Sequence, residues 1–184
     1  SAGRMTSSLD RDLDERGVGR LAELTAFKLQ RGDVVLLKGD LGAGKTTFAR
    51  ALIRGLLGDT HAEVPSPTFS LAQIYETPRL TLMHADLYRL GSETETHEIG
   101  LDEALRTGAV VVEWPERAPG LASGDRFEIE FNLAQNALQR RLRFTGFGAA
   151  AARAERIAAL FAFLDAQTVW REAHLTYMHG DASA

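Results

Sequence analysis

Residues 39–46 read GDLGAGKT, between the apolar run VVLLK (Val34 to Lys38) and a stretch in which Phe48, Ala51, Leu52 and Leu56 recur on one helical face. The pattern G-x-x-x-x-G-K-[ST], placed after a strand and before a helix, constrains the fold more than any other feature of the chain. Its glycines let successive backbone N–H groups point into one concavity, where an anionic phosphate meets them and the positive end of the following helix. Asp40, Leu41, Gly42, Ala43, Gly44, Lys45 and Thr46 are therefore the candidate phosphate-binding set. Lys45 is placed to reach the terminal phosphates, and the Thr46 hydroxyl to ligate Mg²⁺.

The surrounding pattern supplies a sheet for this loop. VVLLK lacks polar alternation, as expected of a strand covered on both faces in a parallel sheet. Val18, Leu21, Ala22, Thr25 and Leu29 follow helical spacing, so an amphipathic helix is predicted from about Asp14 to Gln30, closed by Arg31-Gly32-Asp33. SPTFSLAQIYE and LTLMHADLYRL read as adjacent strands or a hairpin across Thr77-Pro78-Arg79, and EIGLDEALRTG as a helix with Leu101, Ala104 and Leu105 inward. AVVVEW (Ala109 to Trp114) is the second apolar strand; DRFEIEFNL and LQRRLRFTGFG read as a last antiparallel pair. Beyond Gly148 an alanine-rich helix is predicted to about Gln167, its apolar stripe formed by Ile157, Leu160, Phe161 and Leu164. The expected class is α/β: a P-loop NTPase-like three-layer fold with a mainly parallel sheet and antiparallel additions.

A phosphate loop needs a metal-orienting carboxylate at the end of another parallel strand, where ligands gather in open α/β sheets. Glu113, after three valines, meets that requirement, and Asp86 in MHADLYR also ends a strand. Glu113 is assigned the metal and Asp86 the attacking water or the metal's outer shell, with the roles open to exchange. Each has a plainer reading, Glu113 as a strand-end surface acid and Asp86 as a turn or N-cap aspartate. Trp114 reads as a core aromatic or as a stacking platform, and PSPT (Pro65 to Thr68) as a rigid turn or as part of a switch. His84 alternates with Asp86 on the strand, which puts both on one face; its expected role is structural.

Composition narrows the partners. The 184 residues carry a net charge of −4, which argues against a chain that holds nucleic acid by itself. There is no cysteine, and the five histidines show no ligand spacing such as HExxH, so disulfides and thiolate metal sites are excluded. No apolar run reaches the length of a membrane span and no signal-peptide pattern is present, so the cytoplasm is the expected location. Residues 1–4 (SAGR) read as an expression-tag remnant, 5–149 as the P-loop ATPase domain, and 150–184 as a C-terminal helix with a linker or stub.

Taken together, GDLGAGKTT, SPTF, HADLYRL, EIGLDEAL and VVEWPER resemble the TsaE (YjeE) family of bacterial ATPases, over about Leu9 to Gly148. The resemblance implies a compact P-loop fold that binds ATP or ADP with Mg²⁺. It implies an accessory role in making threonylcarbamoyladenosine in tRNA, the carbamoyl transfer belonging to partner proteins TsaB and TsaD, and tRNA being met only through them. It further implies that Gly42, Gly44, Lys45 and Thr46 form the phosphate loop with Thr47 beside them. Asp86 and Glu113 correspond to the family's essential acids, Trp114 to its tryptophan near the nucleotide, and Ser66 to Phe69 to its switch-like segment. Where the family often has a threonine near the adenine, this chain has Gly17 and Val18.

Two other readings compete with an ATP-hydrolysing accessory factor. A small-molecule P-loop kinase usually closes an Arg/Lys-rich lid over its acceptor, and no such insertion is visible. A nucleotide-dependent interaction switch would hydrolyse negligibly alone. Finally, His179-Gly180-Asp181-Ala182-Ser183 resembles the beginning of an aminoglycoside-phosphotransferase-like domain. Residues 168–184 are accordingly expected to be a poorly ordered linker and the stub of a possible fused second domain.

Overall fold

The computed structural model describes residues 8–40, 42–67, 71–91, 95 and 99–180, with the backbone alone at 169, 170 and 172–180. Among these residues the strands are β1 (Leu9–Asp14), β2 (Val34–Lys38), β3 (Ala72–Glu76), β4 (Thr81–Asp86), β5 (Gly108–Glu113), β6 (Arg126–Leu133) and β7 (Gln139–Phe147). The helices are α1 (Glu15–Lys28), α2 (Lys45–Leu57), α3 (Leu101–Thr107) and α4 (Ala151–Gly180), with short 3-10 turns at Pro115–Arg117, Pro119–Ser123 and Gly148–Ala150. All seven strands join one sheet in the order β1-β7-β6-β2-β5-β4-β3. Its centre is parallel, β2 lying between β6 and β5 and β4 beside β5; β3, β7 and β1 join antiparallel to their neighbours.

The alternation of side chains on these strands divides the core into two layers. Val35 and Leu37 of β2, Val111 of β5 and Phe127, Ile129 and Phe131 of β6 pack with α1, α2 and the first half of α4. Val34, Leu36, Val110 and Val112 face the other way, against Leu101, Leu87 and Leu90, with Ala104 and Leu105 packed at the margin. Helix α1 forms where periodicity places it, with Asp14 as N-cap accepting from the Gly17 N–H at 2.8 Å. The β3–β4 and β6–β7 hairpins also form as the alternation predicts. No helix among the described residues is long and apolar enough to cross a membrane.

Two expectations are corrected. Helix α4 runs past Gln167 to Gly180, and the sequence contains no glycine or proline between Ala151 and Gly180 to stop it. Its buried face also differs from the expected stripe: Ala154, Ile157, Ala158 and Phe161 are buried, whereas Leu160 and Leu164 are each 40% exposed. The reason is close approach to β7. A Cβ on Gly146 would lie 2.7 Å from that of Ala154, so the helix docks through its small residues and turns the two leucines outward. The strand β1 carries no apolar run and forms through its neighbour: Leu9 and Leu13 are buried, while Asp10 meets Arg141 of β7 at 2.8 Å on the other face.

Candidate functional site

The loop between β2 and α2 lies at the C-terminal edge of the parallel strands. Gly44 is the N-cap of α2 in a left-handed conformation (φ 105°, ψ 6°) with no side-chain cap, so the helix's first N–H groups remain available to an anion. Gly39 is required for a second reason: at φ 138°, an added Cβ would meet the Phe131 carbonyl oxygen at 2.5 Å. Phe131 itself packs edge-on to Phe48, with ring centres 6.0 Å apart, and thereby ties β6 to the loop and its helix. The buried Lys45 donates from Nζ to the carbonyl oxygens of Gly39 and Asp40. Burial pulls its pKa below the ordinary lysine value, against the opposing fields of Glu113, Glu116, Asp86 and Asp40.

Register assembles the acids beside it. In the parallel pairing of β4 and β5, Asp86 lies directly opposite Glu113, and β2 brings Leu37 opposite Glu113 from the other side. Glu113 is 2% exposed and both its oxygens are engaged: Oε1 accepts from Thr46 Oγ1 at 3.1 Å, and Oε2 lies 2.7 Å from His84 Nε2. Asp86 accepts from the Tyr88 N–H at 3.0 Å. Burial pushes its pKa above the ordinary aspartate value; the Tyr88 hydrogen bond opposes that shift and the Glu113 carboxylate adds to it. Trp114 takes a left-handed conformation (φ 59°, ψ 50°), an uncommon one for a bulky residue. Its ring lies 3.6 Å from Lys45 Nζ and 5.0 Å from the Tyr88 ring, and it also packs at the margin of the second core layer.

On the opposite flank of the loop is a cleft of about 300 Å³. Leu13, Asp14, Glu15 and Val18 from the β1–α1 junction form one wall, Gly42, Gly44 and Thr47 the floor, and Ala137, Leu138 and Arg140 from the β6–β7 hairpin the other wall. Arg140 Nη2 reaches the Gly42 carbonyl at 3.4 Å, joining hairpin to loop. The mixture of exposed apolar surface at Leu138 with flanking carboxylates suits a planar heterocycle bearing hydrogen-bond donors.

The structure thus brings Lys45, Thr46, Asp86, Glu113 and Trp114 together, with Asp40, Gly42, Ala43, Gly44 and Thr47 in or beside the loop. Leu41, Thr68 and Phe69 lie outside the described residues, so the switch-like segment is represented only by Ser66 and Pro67. Sequence reasoning missed His84 as the partner of Glu113; its spacing of two from Asp86 was the signal. It also missed the cleft, whose walls are distant in sequence. Among the described residues no group of three His, Asp or Glu side chains could hold a metal alone. That donor set fits Mg²⁺, which is commonly held by one or two protein groups together with phosphate oxygens and water.

Comparison with known proteins identifies relatives of this chain. The family described as "Threonylcarbamoyl adenosine biosynthesis protein TsaE" matches residues 14–142. The tRNA threonylcarbamoyladenosine biosynthesis protein TsaE of Rickettsia typhi is 39% identical over 122 residues, 66% of this chain and 84% of the relative. That of Bacillus subtilis is 40% identical over 129 residues, 70% of this chain and 78% of the relative. The crystal structure of YdiB from Bacillus subtilis superposes with a TM-score of 0.63 at 30% identity, covering 85% of this chain and 98% of that one. The P-loop, the strand-end acids and these matches lead to one conclusion: the chain belongs to the TsaE family of threonylcarbamoyladenosine biosynthesis proteins.

Proposed function

We propose that this chain binds ATP with Mg²⁺ and hydrolyses it as an accessory factor to the TsaB–TsaD complex in forming threonylcarbamoyladenosine in tRNA. The observation that carries the reading is the convergence of Lys45 and Thr46 of the loop with Glu113 and Asp86 at two adjacent strand ends. The N–H groups at the start of α2 and the Lys45 ammonium bind the phosphates. When bound, Mg²⁺ would supply charge neutralisation at the terminal phosphate oxygens. Thr46 and Glu113 are the residues to hold it, directly or through water. Asp86, beside them and partly accessible, orients the attacking water or holds the metal's outer shell. The base occupies the cleft between Val18 and Leu138, and Trp114 screens the phosphate end from solvent. The site of action is the cytoplasm, and tRNA is reached through the partners.

Lys45→Ala tests this reading. The ammonium serves phosphate charge, so the variant should fold normally while its affinity for ATP with Mg²⁺, measured by calorimetric titration, falls by about 10²-fold or more. Parent-like affinity would overturn the assignment. Phosphate release without any acceptor distinguishes an ATPase from a kinase, and stimulation of that release by TsaB–TsaD distinguishes an accessory factor from an isolated switch.

A further inference from the structure

His84 is fully buried in the middle of β4, and its Nδ1 has no hydrogen-bond partner. An imidazole with an unmatched polar atom in the interior is costly, and a leucine or methionine would fill the same space without that cost. What only the imidazole supplies is the contact from Nε2 to Glu113 Oε2. Register shows how far it reaches: His84 lies opposite Val111, so the ring leans two residues along the sheet toward its C-terminal edge to meet Glu113.

The contact has a consequence for the phosphate loop. Glu113 exerts the largest of the charge effects on Lys45, so the two groups attract one another across the site. A direct ion pair would draw the ammonium from the phosphates and the carboxylate from the metal. Instead Glu113 bonds Thr46 and His84, and the Lys45 ammonium is left to the Gly39 and Asp40 carbonyls. We propose that His84 is a positioning residue for phosphoryl chemistry. It holds Glu113 by one oxygen, away from Lys45, and leaves the other beside the Thr46 hydroxyl, where a divalent cation would be received. This inference rests on the nucleotide-binding reading above.

The test uses Mn²⁺ as the probe, with its binding to the ADP-loaded protein followed by electron paramagnetic resonance. His84→Leu keeps the volume and removes the donor; His84→Gln keeps a donor near the Nε2 position; His84→Asn carries an amide too short to reach Oε2. All three should bind ADP in EDTA within about twofold of the parent, because the phosphate loop is untouched. Leu and Asn variants should lose about 10-fold to 100-fold in Mn²⁺ affinity, with turnover falling more than KM for ATP changes; the Gln variant should recover most of both. In a Glu113→Gln background, His84→Leu should change Mn²⁺ affinity no further. Parent-like Mn²⁺ affinity in the Leu or Asn variant overturns the proposal, as does a Gln variant that melts like the parent yet loses as much as Leu. A parent that binds neither ADP nor Mn²⁺ overturns the nucleotide reading, and this inference with it.

Discussion

Asp86 is kept at a thermodynamic cost. Burial raises its folded pKa above the unfolded value of 3.8, so the native chain holds this proton more firmly than the unfolded chain does. Stability from this group is full below the unfolded value and falls as pH rises through the folded one. Asp86→Asn removes the charge with little change of shape, so its melting temperature should exceed the parent's at pH 7, with the difference shrinking toward pH 4 in melts across that range. Its hydrolysis in the presence of TsaB–TsaD should nevertheless fall by about 10²-fold, the scale expected for a positioned acid or base. An unchanged rate would remove Asp86 from the chemistry. Gly39 is constrained by backbone geometry: Gly39→Ala combines a left-handed conformation with an approach of 2.5 Å to the Phe131 carbonyl. It should cost about 2–4 kcal/mol in urea unfolding. At this scale the motif residues were legible from spacing, because a phosphate loop is made by consecutive backbone groups. The engagement of Glu113 by His84 was not, since 29 residues separate them.

Helix α4 is held to the sheet by burial and by charge, and the two contribute unequally. Phe161 is 1% exposed, with the Arg11 guanidinium 5.6 Å from its ring centre. One turn on, Asp165 receives Arg11 Nη2 and Arg20 Nη2, each at 2.8 Å, which links the helix to β1 and α1. The arginines remain partly exposed, so Asp165→Ala should cost only about 1 kcal/mol. Phe161→Ala should cost about 3–5 kcal/mol by urea unfolding, because it opens a cavity under the helix. A comparable loss in both variants would mean that the ion pairs dominate the docking. Elements with a strong period, α1, α2, β2 and β5, were readable from sequence. The strand β1 was not, because Leu9-Asp10-Arg11-Asp12-Leu13-Asp14 gains its ladder from β7 and its charge partners from β7 and α4. The outward turn of Leu160 and Leu164 was equally hidden, because it depends on how closely alanines can approach Gly146.

For the molecule as a whole, the arrangement of charge bears on its partners. On the sheet face that also carries α3, Lys38 and Arg126 meet Glu128, while Arg141 meets Asp10 and Asp12 and Arg143 meets Asp10 and Glu130. These cations are compensated across the strands, and the net charge of −4 works against counterion release from RNA. The chain alone should give no gel shift with tRNA at micromolar concentration and physiological salt; a tight, salt-sensitive complex would establish direct RNA binding. The sequence by itself determined the phosphate loop, the helix behind it, the apolar strands and an acid at the end of each of two strands. Each of these is set by neighbours within a few residues, through backbone conformation and side-chain period. Only the tertiary structure decided that β5 would lie between β2 and β4, with Asp86 opposite Glu113 and His84 within reach of it. It alone made the cleft from the β1–α1 junction and the β6–β7 hairpin. Strand order and register depend on how two faces of a sheet are buried at once, and that balance is struck among segments far apart in the chain.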